Sequence, residues 1–419
     1  MNGHIYVNVP CWAFDIEEIK TYLLNDADTA HIGFAFSDVL GYNSIVRWHF
    51  DFKEAEMADT LMEEVKIERQ KKTAVIDCDV HVTMKSGDMW FQYLAEEWHD
   101  YHRTIGGRGR IGSAYPRAVP NAARHDAWPP SGPPGSDLEF LRAQLLDEWD
   151  MDYGILTPLI GVGGQQNLRY AAAMGQAVND WQADAWLGRE PRLRGSVIAP
   201  YEDGELAAAE IDRMGDHPGF VQVLLVVRTM EPLGSRKYWK MYEAAVRNGF
   251  PLAIHFGGTG AGPITGAGKP SHYIEDHGGM PTAFQAQVTS LVYEGVFEEF
   301  PDLKVVLIEG GFAWMPALMW RLDSCYQKLK VELPHLKRLP SEYVRDHFWI
   351  STQPMEEPPQ REYFFQMMDH MDMNDKLMFA TDYPHWDFDA PDVALPLGMD
   401  KDVRRNILAE NARALYRLA

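Results

Sequence analysis

Five residues of this sequence offer the nitrogen and oxygen atoms that hold a transition-metal ion, and all stand at or just beyond the ends of apolar runs. Asp79 and His81 close the run that starts at residue 74; two positions apart in extended chain, they point to the same face. His255 ends the run 251–255, Glu309 the run 303–309 and Asp382 the run 376–382. Imidazole and carboxylate donors in this mixture suit Zn²⁺, Mn²⁺ or Fe²⁺. Each residue alone has an ordinary structural reading: a histidine in the partial core, a glutamate capping the next helix, an aspartate turning the chain before Tyr383-Pro384. Their convergence does not, because buried charge is costly unless it is paired or bound to metal. Asp79, His81, His255, Glu309 and Asp382 are therefore read as the ligands of a divalent metal, with Asp382, Glu309 and His385 as the groups for catalysis.

Other residues are less specific. His385, directly after Asp382-Tyr383-Pro384, is a further ligand, a general acid or base, or a loop-packing residue. The glycine-rich stretch 257–262 lacks the Lys-Ser/Thr ending of a phosphate loop and reads as a flexible approach to the metal. Trp90, Trp98, Trp128, Trp314 and Trp386 either line an apolar substrate cavity or simply pack. Arg169, Arg228 and Arg321 are candidates to anchor a substrate carboxylate, with helix-surface ion pairs as the default reading.

Eight apolar runs carry these residues: 74–79, 153–158, 194–200, 220–227, 251–255, 303–309, 348–352 and 376–382. They look like parallel strands buried on both faces. Helical patterns lie between or after them at 137–150, 166–189, 204–215, 235–248, 281–300, 312–330, 360–373 and 401–417, several with start signals such as Ser136-Asp137 and Pro316. Eight strand–helix repeats predict an α/β fold, a (β/α)₈ TIM barrel, whose reacting groups gather at the C-terminal strand ends. The rival, a doubly wound open sheet, needs a glycine-rich turn after the first strand, where this chain has Asp79-Val80-His81-Val82. Two segments fall outside the repeat. Residues 83–135 form a long insertion after strand one, read as a lid, a binding loop or the interface arm of a homodimer. Residues 1–72 read as a small N-terminal accessory segment, with strands at 4–9, 31–36 and 45–52 and a charged helix or linker at 53–72, leaving 73–419 to the barrel.

The motifs Asp79-x-His81, Ile254-His255-Phe256-Gly257-Gly258, Ile308-Glu309-Gly310-Gly311-Phe312-Ala313-Trp314-Met315-Pro316 and Ala380-Thr381-Asp382-Tyr383-Pro384-His385 resemble, in that order, the amidohydrolase superfamily. The likeness covers about residues 74–419. It is nearest to the amidohydrolase-related group that includes aminocarboxymuconate-semialdehyde decarboxylase and the resorcylate-type decarboxylases. The resemblance implies that Asp79 and His81 stand at the strand-one ligand positions and His255 at the strand-five ligand. Asp382 matches the strand-eight aspartate that ligates metal and handles a proton. Two positions depart from the pattern: Asp79 replaces the usual His or Glu, and Glu309 replaces the strand-six His. A glutamate does not do a neutral histidine's donor work at pH 7 unless its pKa is raised, but it does ligate metal.

The resemblance implies a metal-dependent hydrolase or decarboxylase acting on a small or medium organic acid, ester or amide. In the hydrolytic version Asp382 takes the proton of a water and returns it to the leaving group. In the decarboxylating version a protonated Asp382 delivers a proton to carbon. The carboxylate-rich donor set leaves two alternatives: a carboxylate-bridged non-haem di-iron monooxygenase on the same barrel, and a non-catalytic binding protein. Composition excludes other classes. With 61 acidic against 39 basic residues, the formal charge of −22 argues against nucleic acid and anionic membranes as partners. No apolar stretch is long enough to span a bilayer. The absence of a signal-like N-terminus, with only three well-separated cysteines, leads to the expectation of a cytoplasmic protein.

Overall fold

A computed structural model describes residues 73–106, 122–258, 268 and 270–419. The accessory segment expected at 1–72 lies outside the described residues, as do parts of the insertion and of the loop after strand five. Eight strands follow one another: β1 (Ile76–Val80), β2 (Tyr153–Leu156), β3 (Leu193–Ile198), β4 (Phe220–Val226), β5 (Leu252–His255), β6 (Val305–Ile308), β7 (Phe348–Ser351) and β8 (Leu377–Met378). All neighbours pair in parallel, in the order β1 to β8. The sheet closes on itself where Cys78 N–H donates to Phe379 O (3.0 Å) and His81 N–H to Tyr383 O (2.7 Å). This is the expected (β/α)₈ barrel. The apolar runs are continuous rather than alternating because both strand faces are covered, by barrel interior on one side and helices on the other.

The helices that matter below are α1 (Leu138–Leu141), α2 (Leu168–Gln182), α3 (Gly204–Met214), α4 (Trp239–Asn248), α5 (Tyr273–Gly279), α6 (Pro281–Tyr293) and α7 (Met315–Leu329). The expected start signals act as such. Asp137 accepts the Phe140 N–H at 3.1 Å, and Pro316 sits in the first turn of α7. Gly249, at φ 70°, ends α4 in the left-handed conformation that glycine adopts without steric cost. Between α2, β3 and α3 a buried polar network takes the place of apolar packing. The Asn179 amide accepts from Ile198 N–H (2.9 Å) and donates to Ile198 O (3.0 Å) and to Glu210 (2.6 Å).

Two expectations need correction. The insertion after β1 is not structureless: its described part carries short helical turns between residues 87 and 106. There Trp90 and Trp98 pack against His102 and Tyr170, so they stabilise the insertion. Strand eight is shorter than the apolar run. Beyond Met378 regular pairing gives way to single bonds with β1 through Phe379 O and Tyr383 O, and Thr381 N–H between them goes to the buried side chain of Asp77 (2.9 Å).

Candidate metal centre

All five proposed ligands emerge at the C-terminal end of the barrel. Asp79 lies in β1 with His81 just beyond it, His255 is the last residue of β5, Glu309 follows β6 and Asp382 follows β8. Glu309 and Asp382 hold φ values of 58° and 61°. For residues with a Cβ this left-handed backbone costs about 1–3 kcal/mol, and such strain concentrates at functional sites. Neighbouring polar groups hold both turns in place. Glu309 N–H donates to Ser351 Oγ at 3.1 Å. Asp77 accepts the Thr381 hydroxyl at 2.5 Å and the Asp79 N–H at 3.1 Å, tying strand one to strand eight.

One donor atom from each of Asp79, His81, His255 and Asp382 lies within 4.8 Å of the others, and all four residues are buried. The hydrogen bonds on the far sides of the two imidazoles fix what they present to the centre. His81 Nδ1 lies 2.8 Å from the backbone oxygen of Thr157, and His255 Nδ1 2.6 Å from that of Phe256. A carbonyl only accepts, so each Nδ1 carries the hydrogen and a neutral ring turns the lone pair of Nε2 inward. Those lone pairs face carboxylates: His81 Nε2 is 2.8 Å from Asp382 Oδ1, and His255 Nε2 is 3.3 Å from Asp79 Oδ2 and 3.2 Å from Glu309 Oε2. Acceptors facing acceptors at such distances need a shared proton or a cation between them. A divalent cation satisfies all of them at once, so the donor set fits the metal that the sequence implied.

The electrostatics point the same way. Burial pushes the Glu309 carboxyl well above its ordinary range, with Asp382 and Asp79 adding to the effect. Asp382 rises to about 7 for the same first reason. Burial also drives His81 down to about 4, keeping it neutral as a ligand must be. Asp79 runs against burial: the facing imidazoles and the hydrogen bonds from His255 and Thr157 hold its carboxyl below the usual range, and Asp79 in turn raises His255, a proton-sharing that a bound cation would replace. Thr157 adds a hydroxyl hydrogen bond to Asp79 Oδ1 at 2.5 Å.

Toward the mouth, His385 Nδ1 lies 2.7 Å from Asp382 Oδ1, and its ring stacks 4.4 Å from that of His81. The ligand atoms of Glu309, Asp382 and His385 form a second group within 4.8 Å that shares Asp382 with the first. Of the candidate arginines, Arg228 lies just past β4, buried over the Phe256 ring and paired with Asp276 of α5 at 2.6 Å. Trp314 donates to Gly310 O and Gly311 O, bracing the turn after Glu309. Trp386 is half exposed at the mouth, beside Tyr273 and His277 of α5.

Four residues in this arrangement were not singled out as site residues from the sequence: Asp77, Thr157, Gln353 and Asp387. Asp77 shares strand parity with Asp79 and His81, a signal that was present. Gln353 just beyond β7 and Asp387 after β8 meet only in the fold, the Gln353 amide donating to Asp387 Oδ2 (2.9 Å) and reaching Asp382 Oδ2 (3.3 Å).

A closed barrel with a buried imidazole–carboxylate centre at its C-terminal strand ends defines a metal-dependent barrel enzyme. The amidohydrolase family profile matches residues 76–418, and the chain belongs to that family. It is 25% identical over 318 residues to the gamma-resorcylate decarboxylase of Polaromonas sp. strain JS666, covering 68% of this chain and 92% of that protein. The gamma-resorcylate decarboxylase of Rhodococcus jostii strain RHA1 is 26% identical over 277 residues, 59% of this chain and 78% of its own. Among solved structures, the 5-carboxyvanillate decarboxylase of Novosphingobium aromaticivorans, complexed with manganese and a hydroxy-methoxy-nitrobenzoic acid, superposes with a TM-score of 0.64 at 18% identity. The alignment covers 83% of this chain and 97% of that one. The dihydroxybenzoic acid decarboxylase of Polaromonas sp. JS666, with bound manganese and 2-nitroresorcinol, gives a TM-score of 0.58 at 19% identity, covering 83% and 98%. Among the described residues no helix is long and apolar enough to cross a membrane.

Proposed function

We propose that this protein is a metal-dependent decarboxylase of a hydroxylated aromatic acid. The observation that carries the reading is the buried set Asp79, His81, His255 and Asp382, whose inward lone pairs face one another at the barrel mouth. The decarboxylase names of the relatives support lyase chemistry over hydrolysis. These four residues would hold the cation, with Glu309 beside His255 as a fifth donor. A bound divalent cation supplies Lewis-acid polarisation to a substrate's carboxylate and neighbouring oxygen. The chain does the rest. Thr157 and Phe256 fix the imidazoles, Gln353 steadies Asp382 Oδ2, and the Asp382–His385 pair carries the proton, between Oδ1 and Nδ1, that replaces the carboxyl group on carbon. The enzyme is read as a cytoplasmic homodimer, which light scattering checks.

The test is manganese-loaded protein supplied with a panel of hydroxybenzoates, with CO₂ release as the readout. Release from at least one phenolic acid is expected. Hydrolysis of esters or amides without any CO₂ release would return the protein to the hydrolase reading. The alternative reading, a di-iron oxygenase that would use Glu309, Asp382 and His385 as a second donor group, is tested alongside. Two irons per chain together with substrate-dependent O₂ consumption would select it, and a single manganese or zinc would eliminate it.

A further inference from the structure

Helix α5 crosses the barrel mouth and is fastened on both sides by consecutive residues. Asp276 pairs with Arg228 beyond β4, and His277 Nε2 lies 2.9 Å from Asp387 Oδ2 in the loop after β8. Asp387 also accepts from Gln353 at 2.9 Å, and the same amide nitrogen reaches Asp382 Oδ2 at 3.3 Å. His277 is thus separated from a proposed metal ligand by one carboxylate and one amide. Its ring is flanked by Trp386 (centroids 5.2 Å apart) and Tyr273 (5.9 Å), and the Trp386 indole donates to the Tyr273 hydroxyl at 3.3 Å. These rings pack around His277 at the barrel mouth.

A carboxylate on one ring nitrogen fixes the other. With Nε2–H donating to Asp387, a neutral His277 presents a lone pair at Nδ1, which has no partner among the described residues. An imidazole oriented by a carboxylate, with its second nitrogen open, is the arrangement of a general base. The surrounding charge selects that role over the anchoring of an anion. The ionisable groups around His277 are Asp387 and Asp382 from the strand-eight loop and Asp276 and Tyr273 from its own helix, with Asp276 offset by its partner Arg228 from beyond β4, so the uncompensated carboxylates lie on the Asp387 side. Such neighbours repel an anionic group but favour an imidazole that gains a proton. Burial works against the charged ring, yet the Asp387 hydrogen bond and these charges hold it above its ordinary range.

We propose that His277 is a catalytic base that accepts the proton of a phenolic hydroxyl on the substrate, an inference that rests on the decarboxylation reading. The substrate O–H bond breaks, its proton forms the Nδ1–H bond, and the oxygen's electron pair feeds the ring. The ring carbon bearing the carboxylate takes a proton from the Asp382–His385 pair. The C–CO₂ bond then breaks, its electron pair restores the aromatic ring, CO₂ leaves and His277 returns its proton to oxygen. The Asp382–His385 pair regains its proton from solvent, so the net change is arenecarboxylate plus H⁺ to arene plus CO₂.

Manganese-loaded wild type, His277→Gln and Asp387→Asn are compared by two readouts, after melting curves and metal content confirm that each is folded and loaded. The first is ionisation of a bound nitrophenol, followed by its phenolate absorbance against pH. The apparent pKa of the bound phenol is expected to rise by about one unit or more in His277→Gln, a tenfold loss of ionisation. The second is turnover of a hydroxybenzoate, where kcat is expected to fall by about 10²–10³-fold with KM little changed and with one limb of the pH profile lost. Asp387→Asn is expected to shift both in the same direction by less. Wild-type ionisation and kcat in His277→Gln overturn the base assignment while leaving the decarboxylase reading intact. Wild type that releases no CO₂, yet ionises the bound phenol through His277, overturns the decarboxylase reading and leaves the base in place.

Discussion

Thr157→Val isolates the contribution of a single buried hydrogen bond to the metal centre. The Thr157 hydroxyl donates to Asp79 Oδ1 at 2.5 Å, while its backbone oxygen receives His81 Nδ1 at 2.8 Å. Valine keeps the shape and the carbonyl that holds His81 at 2.8 Å; it removes the charge-assisted bond to Asp79 and, with it, only the hydroxyl's longer 3.3 Å contact with His81 Nδ1. Such a bond contributes about 1.5–3 kcal/mol, which is roughly ten- to a hundredfold in affinity and matches what outer partners of metal ligands usually supply. Competition of wild type and Thr157→Val against a chelating dye for Mn²⁺ measures the loss directly. Thr157→Ser, which restores the hydroxyl, is expected to return most of the affinity. Wild-type affinity in Thr157→Val, in a protein with an unchanged melting curve, would refute the reasoning that Asp79 is a ligand positioned by this hydroxyl.

Further outcomes separate stability from the site. Asn179→Leu removes the side-chain partner of Ile198 N–H and Ile198 O and leaves Glu210 to Arg213 alone in the layer between α2, β3 and α3; it is expected to destabilise the fold by about 2–4 kcal/mol in denaturant titrations while leaving metal affinity unchanged. Glu190, hydrogen-bonded by Arg192 and Arg142, has its carboxyl lowered from 4.5 to about 2 by those contacts against burial. A depressed carboxylate contributes stability that is complete above its unfolded value and lost as pH falls through its folded value. Acid melts should therefore steepen between about pH 4.5 and 2, and Glu190→Gln should flatten that limb. Saturating wild type with Mn²⁺ at about a hundred times its dissociation constant should add about 2.7 kcal/mol of stability, reversed by a chelator.

The barrel and its ligands were legible for one physical reason. Strands buried on both faces are written as uninterrupted apolar runs, so a polar residue that ends such a run marks the mouth of the barrel. His255 at the end of β5 and Glu309 just beyond β6 stand where that logic puts them. The logic weakens where side-chain contacts replace the ladder. The run 376–382 reads as a full strand, yet only Leu377–Met378 is regular strand; beyond it Phe379 and Tyr383 bond singly to β1 while Asp77 takes Thr381 across the barrel seam. The short α5 has no apolar periodicity to announce it inside a glycine-rich connection, so nothing in the sequence singles out His277. Gln353 and Asp387 bear on Asp382 only through contacts between elements that are distant in sequence. Tryptophans carry no positional signal of their own: Trp98 packs the insertion, while Trp386 walls the mouth.

The central claim is that Asp79, His81, His255 and Asp382 hold a divalent cation at the barrel mouth. Elemental analysis of protein purified without chelator tests it most directly, comparing wild type with His255→Ala. At least one transition-metal equivalent per chain is expected in wild type, with its loss in a folded His255→Ala. Equal metal content in the two proteins would contradict it.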